Sequence, residues 1–132
     1  MYYREYHPFG FLLLCLLSSC GIPDLKDPAV MKSAFEDAVS LETLERKRMY
    51  GMIMLYVDND DEPYTGWVKS ETNGKLSKMG YLKNGQKQGV WMTWHPNSKK
   101  KSEIEWKNDQ MYGSFQTWHK NGKTGTVGQT TD

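Results

Sequence analysis

Cysteine is scarce in this chain: Cys15 and Cys20 are the only two among 132 residues. A disulfide framework is therefore excluded, and stability must come from packing and hydrogen bonds. Long apolar runs are missing as well. The most apolar stretch, FLLLCLL from Phe11 to Leu17, has seven residues, whereas a membrane-spanning helix needs about 20. Charge of one sign is not in excess, since 17 basic and 16 acidic residues leave a net charge of +1. With 25% charged and 38% apolar residues, the composition is that of an ordinary soluble domain, and the length suits one domain. Several chemical signatures are absent. No Gly-x-Ser-x-Gly elbow occurs, and NGQKQG (Asn84 to Gly89) lacks the Lys-Ser/Thr ending of a phosphate-binding loop. The acidic run Asp58 to Pro63 fails as a calcium loop, because its sixth position is Pro63 and its twelfth is Lys69. His95 and His119 could approach each other on neighbouring hairpins, but no third ligand is evident, and a zinc site needs three or four. No enzyme activity, metal or cofactor is expected.

The N-terminus carries a targeting pattern. Arg4 precedes the apolar core, and Leu17-Ser18-Ser19-Cys20 comes directly after it. These four residues resemble the lipobox of bacterial lipoproteins, in which the cysteine becomes the lipid-bearing N-terminus. The resemblance implies a signal peptide over 1–19, lipid attachment at Cys20 and a tether over 20–27. Gly21 after the cysteine leans towards the outer membrane. Cys15 then departs with the signal, and the mature chain holds no free thiol.

Charge is distributed unevenly behind that signal. Residues 20–63 hold five basic and ten acidic residues, a net of −5, while 64–132 hold eleven and five, a net of +6. Asp27-Pro28 is a helix start, with Asp as cap and Pro in the first turn. The composition downstream of it predicts a helical segment over 28–48, with Arg46, Lys47 and Arg48 suiting its C-terminal dipole and Ser40 a point where it restarts. YGMIMLYV, Tyr50 to Val57, reads as a strand, and 49–132 as a strand followed by a sheet.

The strongest signal is a repeat. Asn-led pairs begin at 73, 84, 97, 108 and 121, with spacings of 11, 13, 11 and 13. The unit is therefore 24 residues. Trp67, Trp91 and Phe115 each precede a turn asparagine by six; Trp94 and Trp118 precede by three, and His95 and His119 by two. Gly89 and Gly113 share the period, and Gly66 is one place out. Asn-Gly between β-rich runs signals a hairpin, because a type I′ turn needs φ > 0 at both central residues. Two-residue turns throughout place Trp91 opposite Ile104, Leu82 opposite Lys87, and Trp106 opposite Met111. Alternation then puts Trp67, Leu82, Trp91, Ile104, Trp106, Met111 and Phe115 on one face. Val68, Met79, Tyr81, Val90, Met92, Trp94, Tyr112 and Trp118 fall on the other. Ser98 and Asp109, standing where glycine is preferred, predict looser turns in the second unit. The fold class is mainly β (α+β): an N-terminal helix, then an antiparallel meander.

GVWMTWHPNS and GSFQTWHKNG resemble the MORN repeat in its shorter bacterial variant, and EPYTGWVKSETNGK resembles the entry to the array in YwqK-type antitoxin-like proteins. That resemblance implies a single-layer sheet of successive hairpins and interaction rather than catalysis. The candidate binding face comprises Trp67, Trp91, Trp94, Trp106, Phe115 and Trp118. The first functional expectation is a lipid-anchored envelope protein that binds or scaffolds an unidentified protein partner. A second is a membrane-surface module contacting anionic lipid or polysaccharide through Lys99, Lys100 and Lys101. A third is the antitoxin or immunity role implied by the family name. Nucleic acid is not an expected partner, because the export signal removes the chain from it.

Overall fold

The computed structural model describes residues 21–57 and 60–130; the expected signal peptide, Cys20 and the Asp58-Asn59 start of the acidic loop lie outside the described residues. The described residues form one α-helix, a short 3-10 turn and nine strands. The helix, α1 (Pro28–Asp37), begins as the sequence predicts. The Asp27 carboxylate accepts from the Ala29 N–H at 2.8 Å, and Pro28 sits in the first turn. It stops at Asp37, not near residue 48. Lys69 Nζ donates to the Phe35 carbonyl at 3.1 Å and lies 3.7 Å from the Phe35 ring centroid, placing a cation on the open C-terminal carbonyls.

The segment beyond Asp37 corrects the expected helix over 28–48. Val39–Ser40 is a short strand, β1, and Leu41–Thr43 a 3-10 turn. Leu44–Met49 forms β2, antiparallel to β3 (Met52–Val57), with Leu44 opposite Val57 and Met49 opposite Met52. Helix propensities among these residues differ by only tenths of a kcal/mol each. A six-residue ladder and the burial of Leu44 outweigh that difference. The connecting turn, Tyr50-Gly51, has φ of 50° and 80°, the two positive values of a type I′ turn.

The remaining strands are β4 (Gly66–Thr72), β5 (Lys75–Lys83), β6 (Gln86–Trp94), β7 (Lys100–Lys107), β8 (Gln110–Trp118) and β9 (Thr124–Thr130). They form an antiparallel meander in sequence order, and β1 pairs parallel to β4 at its outer edge. The expected pairs Trp91–Ile104, Leu82–Lys87 and Trp106–Met111 are all present.

Two kinds of turn occur, and from Asn84 onward they alternate in step with the 13/11/13 spacing. Asn73-Gly74, Asn84-Gly85 and Asn108-Asp109 have positive φ at both residues, so Asp109 in place of glycine does not loosen its turn. At Asn97 and Asn121 the hairpin is longer. His95 N–H donates to Lys99 O and Ser98 N–H to His95 O; His119, Lys123 and Gly122 repeat this pattern. Only the third loop residue, Ser98 or Gly122, is left-handed there. Register shifts occur within the adjoining ladders, after Thr93 and after Gln116. Gly89 (φ 72°) and Gly113 (φ 83°) lie opposite equivalent irregularities, one repeat apart. An L side chain rarely adopts that conformation, which accounts for their period.

One face assignment is reversed. A bulge between Ser70 and Glu71 places Trp67 opposite Tyr81 and Val68 opposite Gly80. One extra residue in a ladder exchanges the faces of everything beyond it. Trp67 therefore packs with Leu25, Ala34, Met79 and Met92 beneath α1, while Val68 joins Leu44, Leu82 and Trp91 beneath the β2–β3 hairpin. The sheet is consequently not a single layer throughout. It is covered on one face by α1 and on the other by β2–β3 across β4–β6. Of the buried residues only Ser102 belongs to β7–β9, so that part of the sheet is essentially bare.

Candidate functional site

The six rings of the candidate binding face separate into two sets. Trp67, Trp94 and Trp118 belong to the face that bears α1; Trp91, Trp106 and Phe115 belong to the hairpin-bearing face. Trp67 and Trp91 are core residues, 7% and 4% exposed. Trp67 meets Tyr81 edge-on at 5.1 Å and 77°. Trp91 donates its indole N–H to Tyr81 O at 3.1 Å, and its ring lies where a Cβ at Gly80 would stand. Phe115, one repeat later, covers Gly128 on the strand that follows it. A large ring over a cross-strand glycine removes apolar area from water without needing a second layer. Burial withdraws Trp67 and Trp91 from any partner, so the accessible aromatic surface is reduced to Trp94, Trp106, Phe115 and Trp118, each half-buried.

Lysines cover several rings. Lys87 Nζ lies 4.1 Å from the Trp106 centroid and 5.3 Å from that of Trp91. Burial pushes the Lys87 pKa down, Lys78 adds repulsion, and Asp109 opposes both. Lys100 Nζ pairs with Glu103 and lies 5.5 Å from the Trp118 centroid. Lys99 Nζ donates to Asn121 O at 3.4 Å, and Lys101 is exposed. Two of the three expected anion-contacting lysines are thus engaged within the protein.

The three-residue loops stack one upon the other. His95 Nε2 lies 2.8 Å from Trp118 O, and Asn97 Nδ2 donates to Lys120 O at 2.9 Å. His95 is thus a staple between neighbouring loops, whereas its repeat counterpart His119 is exposed. At the opposite edge, Lys87 N–H donates to the Asp109 carboxylate at 2.7 Å, and Asp109 N–H to Lys87 O at 3.1 Å.

Two concavities lie near these side chains. A 210 Å³ cleft on the α1 side is lined by Lys26, Val90, Glu103, Glu105, Gln116 and Val127. A 380 Å³ hollow is formed by Lys99, Lys100, Trp118 and Gly122. No group of three metal-ligating side chains is present among the described residues, and no helix there is long and apolar enough to cross a membrane.

The two sheet edges differ. On β4 the outer edge is paired with β1 at Val68 and Lys69. On β9 it is unpaired among the described residues. The β9 sequence, TGTVGQT, has no charge, no proline and an exposed Val127, whereas sheet edges are ordinarily guarded by lysine, proline or bulges. Sequence reasoning did not mark this strand, although its lack of charge was legible.

Comparison of the chain with protein-family models, with curated proteins and with solved structures finds no match.

Proposed function

We propose that the chain is a non-catalytic, lipid-anchored binding module of MORN type that holds a protein partner by strand addition at β9. The observation that carries this reading is the uncharged β9 edge, next to the bare part of the sheet. An added strand would satisfy the outer row of backbone groups. Its side chains would meet Val127 and Trp118 on one face and Phe115 on the other. The 24-residue repeat supports the MORN-type reading, because the sheet is extended by hairpins that stack unit upon unit. The lipobox-like Leu17-Ser18-Ser19-Cys20 supports the anchor.

A photo-crosslinker at Gln129 in cells reads the partner directly. Val127→Lys adds an edge guard at an exposed position, and should abolish the crosslink while leaving the urea midpoint within experimental error. A crosslink that survives Val127→Lys refutes strand addition. Cys20→Ala should block lipid incorporation; normal incorporation in that variant refutes the anchor.

A further inference from the structure

The β2–β3 hairpin ends in a surface that packing does not explain. Tyr50 is 90% exposed, and Met49, Met52 and Ile53 beside it are 40%, 46% and 52% exposed. Tyr50 also occupies a left-handed position, with φ of 50°, where the sheet's own type I′ turns place Asn73, Asn84 and Asn108. A bulky side chain is strained there, and an exposed aromatic gains nothing from folding. Both local preferences are broken at one residue, which marks a functional position rather than a packing one.

The charges around this tip are graded. Arg46 and Arg48 are exposed, and neither has a carboxylate within ion-pair distance among the described residues. Lys47 is tied back towards the root, pairing with Glu45 at 3.5 Å and donating to Asp60 O at 3.1 Å. The exposed acids Glu45, Asp60, Asp61 and Glu62 lie towards the root. An anionic plane would attract the tip and repel the root, and so orient the hairpin tip-first. Apolar side chains beside free arginines match the two zones of a bilayer interface, acyl boundary and headgroup.

We infer that the β2–β3 tip is a contact for anionic membrane surfaces. Tyr50, Met49, Met52 and Ile53 enter the interface, and Arg46 and Arg48 meet lipid phosphates. The location agrees with the anchor proposed above. Leu55 N–H donates to Gly85 O, and Gln86 Nε2 lies 3.5 Å from the Met52 sulfur, so the hairpin sits at the Asn84-Gly85 edge. Ile22, two residues after Cys20, packs by Gly89, close in sequence to the same turn. The stacked loops at 95–99 and 119–123 occupy the opposite edge.

Spin labels on the full chain test this, with Cys15→Ser and Cys20→Ser as background. One label is placed by Tyr50→Cys and a control by Lys120→Cys, and each protein is reconstituted in vesicles containing phosphatidylglycerol. The label at 50 should be reached by oxygen in preference to a water-soluble nickel complex, and the label at 120 by the nickel complex. Arg46→Gln with Arg48→Gln should lower the inserted-to-free ratio of the first label about 30-fold, at about fivefold per basic residue. Phosphatidylcholine vesicles should lower it comparably. A label at 50 that is as water-accessible as the one at 120 overturns the proposal, as does insertion that ignores the arginines. A label at 50 that stays aqueous on vesicles but is immobilised by an envelope protein assigns the tip to that protein instead, and also overturns it. Strand capture at β9 is read by crosslinking, so the two readings fail separately.

Discussion

Trp91 and Phe115 hold the same repeat position, and each covers a cross-strand glycine, Gly80 on the preceding strand for Trp91 and Gly128 on the following strand for Phe115. Their alanine variants therefore separate what the repeat contributes from what the covering layer adds. Trp91 is 4% exposed beneath Leu44 and beside Val68 and Leu82, and its indole N–H serves Tyr81 O. Trp91→Ala removes a buried ring, leaves a cavity under the hairpin and orphans a carbonyl, which together cost about 4 kcal/mol. Phe115 is half-buried and has no covering layer, so Phe115→Ala leaves a dent open to water and costs about 2 kcal/mol. With a urea m-value of about 1.5 kcal/mol/M, the midpoint falls by about 2.7 M for the first and about 1.3 M for the second. Urea titration followed by tryptophan fluorescence and far-UV circular dichroism measures both. Trp91→Phe keeps most of the buried ring and loses the hydrogen bond, costing about 1.5 kcal/mol, and serves if the alanine variant does not fold. Equal losses at positions 91 and 115 would show that the hairpin does not bury Trp91, and the two-face description would fall with it.

Glycine at two otherwise similar turns should behave differently. Gly85→Ala brings a Cβ to 2.7 Å from Leu55 N and 2.9 Å from Leu55 O, backbone atoms that cannot turn aside. Gly74→Ala meets nothing within 4 Å and bears only the left-handed penalty of about 1 kcal/mol. Thermal unfolding should place the Gly85 variant lower, by at least twice the shift of the Gly74 variant. Alkaline pH should destabilise the fold through two phenols. Burial raises the pKa of Tyr64, assisted by Tyr81 and Asp37, and burial alone raises that of Tyr81, both above the ordinary phenol value of 10.0. Above pH 10.0 the folded state then binds more protons than the unfolded state. Stability from these groups is complete below that pH and is lost as pH rises through the folded values. Difference absorbance of tyrosinate during a pH titration, run beside urea midpoints, should show late-titrating phenols and a parallel loss; ordinary phenol titration with unchanged midpoints contradicts it.

Legibility in the sequence tracked the range of the interaction concerned. Helix initiation at Asp27-Pro28 and reversal at the Asn-led pairs depend on residues within one turn of each other, and both could be read. The Tyr50-Gly51 turn escaped because tyrosine is a poor occupant of that position, which is also why it is informative. The helix was overextended because Leu44–Met49 suits either state by local preference, and its partner strand settles the matter. Of the expected binding rings, burial withdrew Trp67 and Trp91, and neither the β9 edge nor the hairpin tip stands out until it is known what is left uncovered.

For β4–β9 the sequence by itself determined where the chain reverses, which strands neighbour each other and the 24-residue period, because turn chemistry and strand alternation act over a few residues. Tertiary structure alone decided which face each ring takes near β4, where the sheet is covered and which edge stays open. A single bulge at Ser70/Glu71 exchanges two faces, and burial is a property of segments far apart in sequence that meet only when the chain is folded.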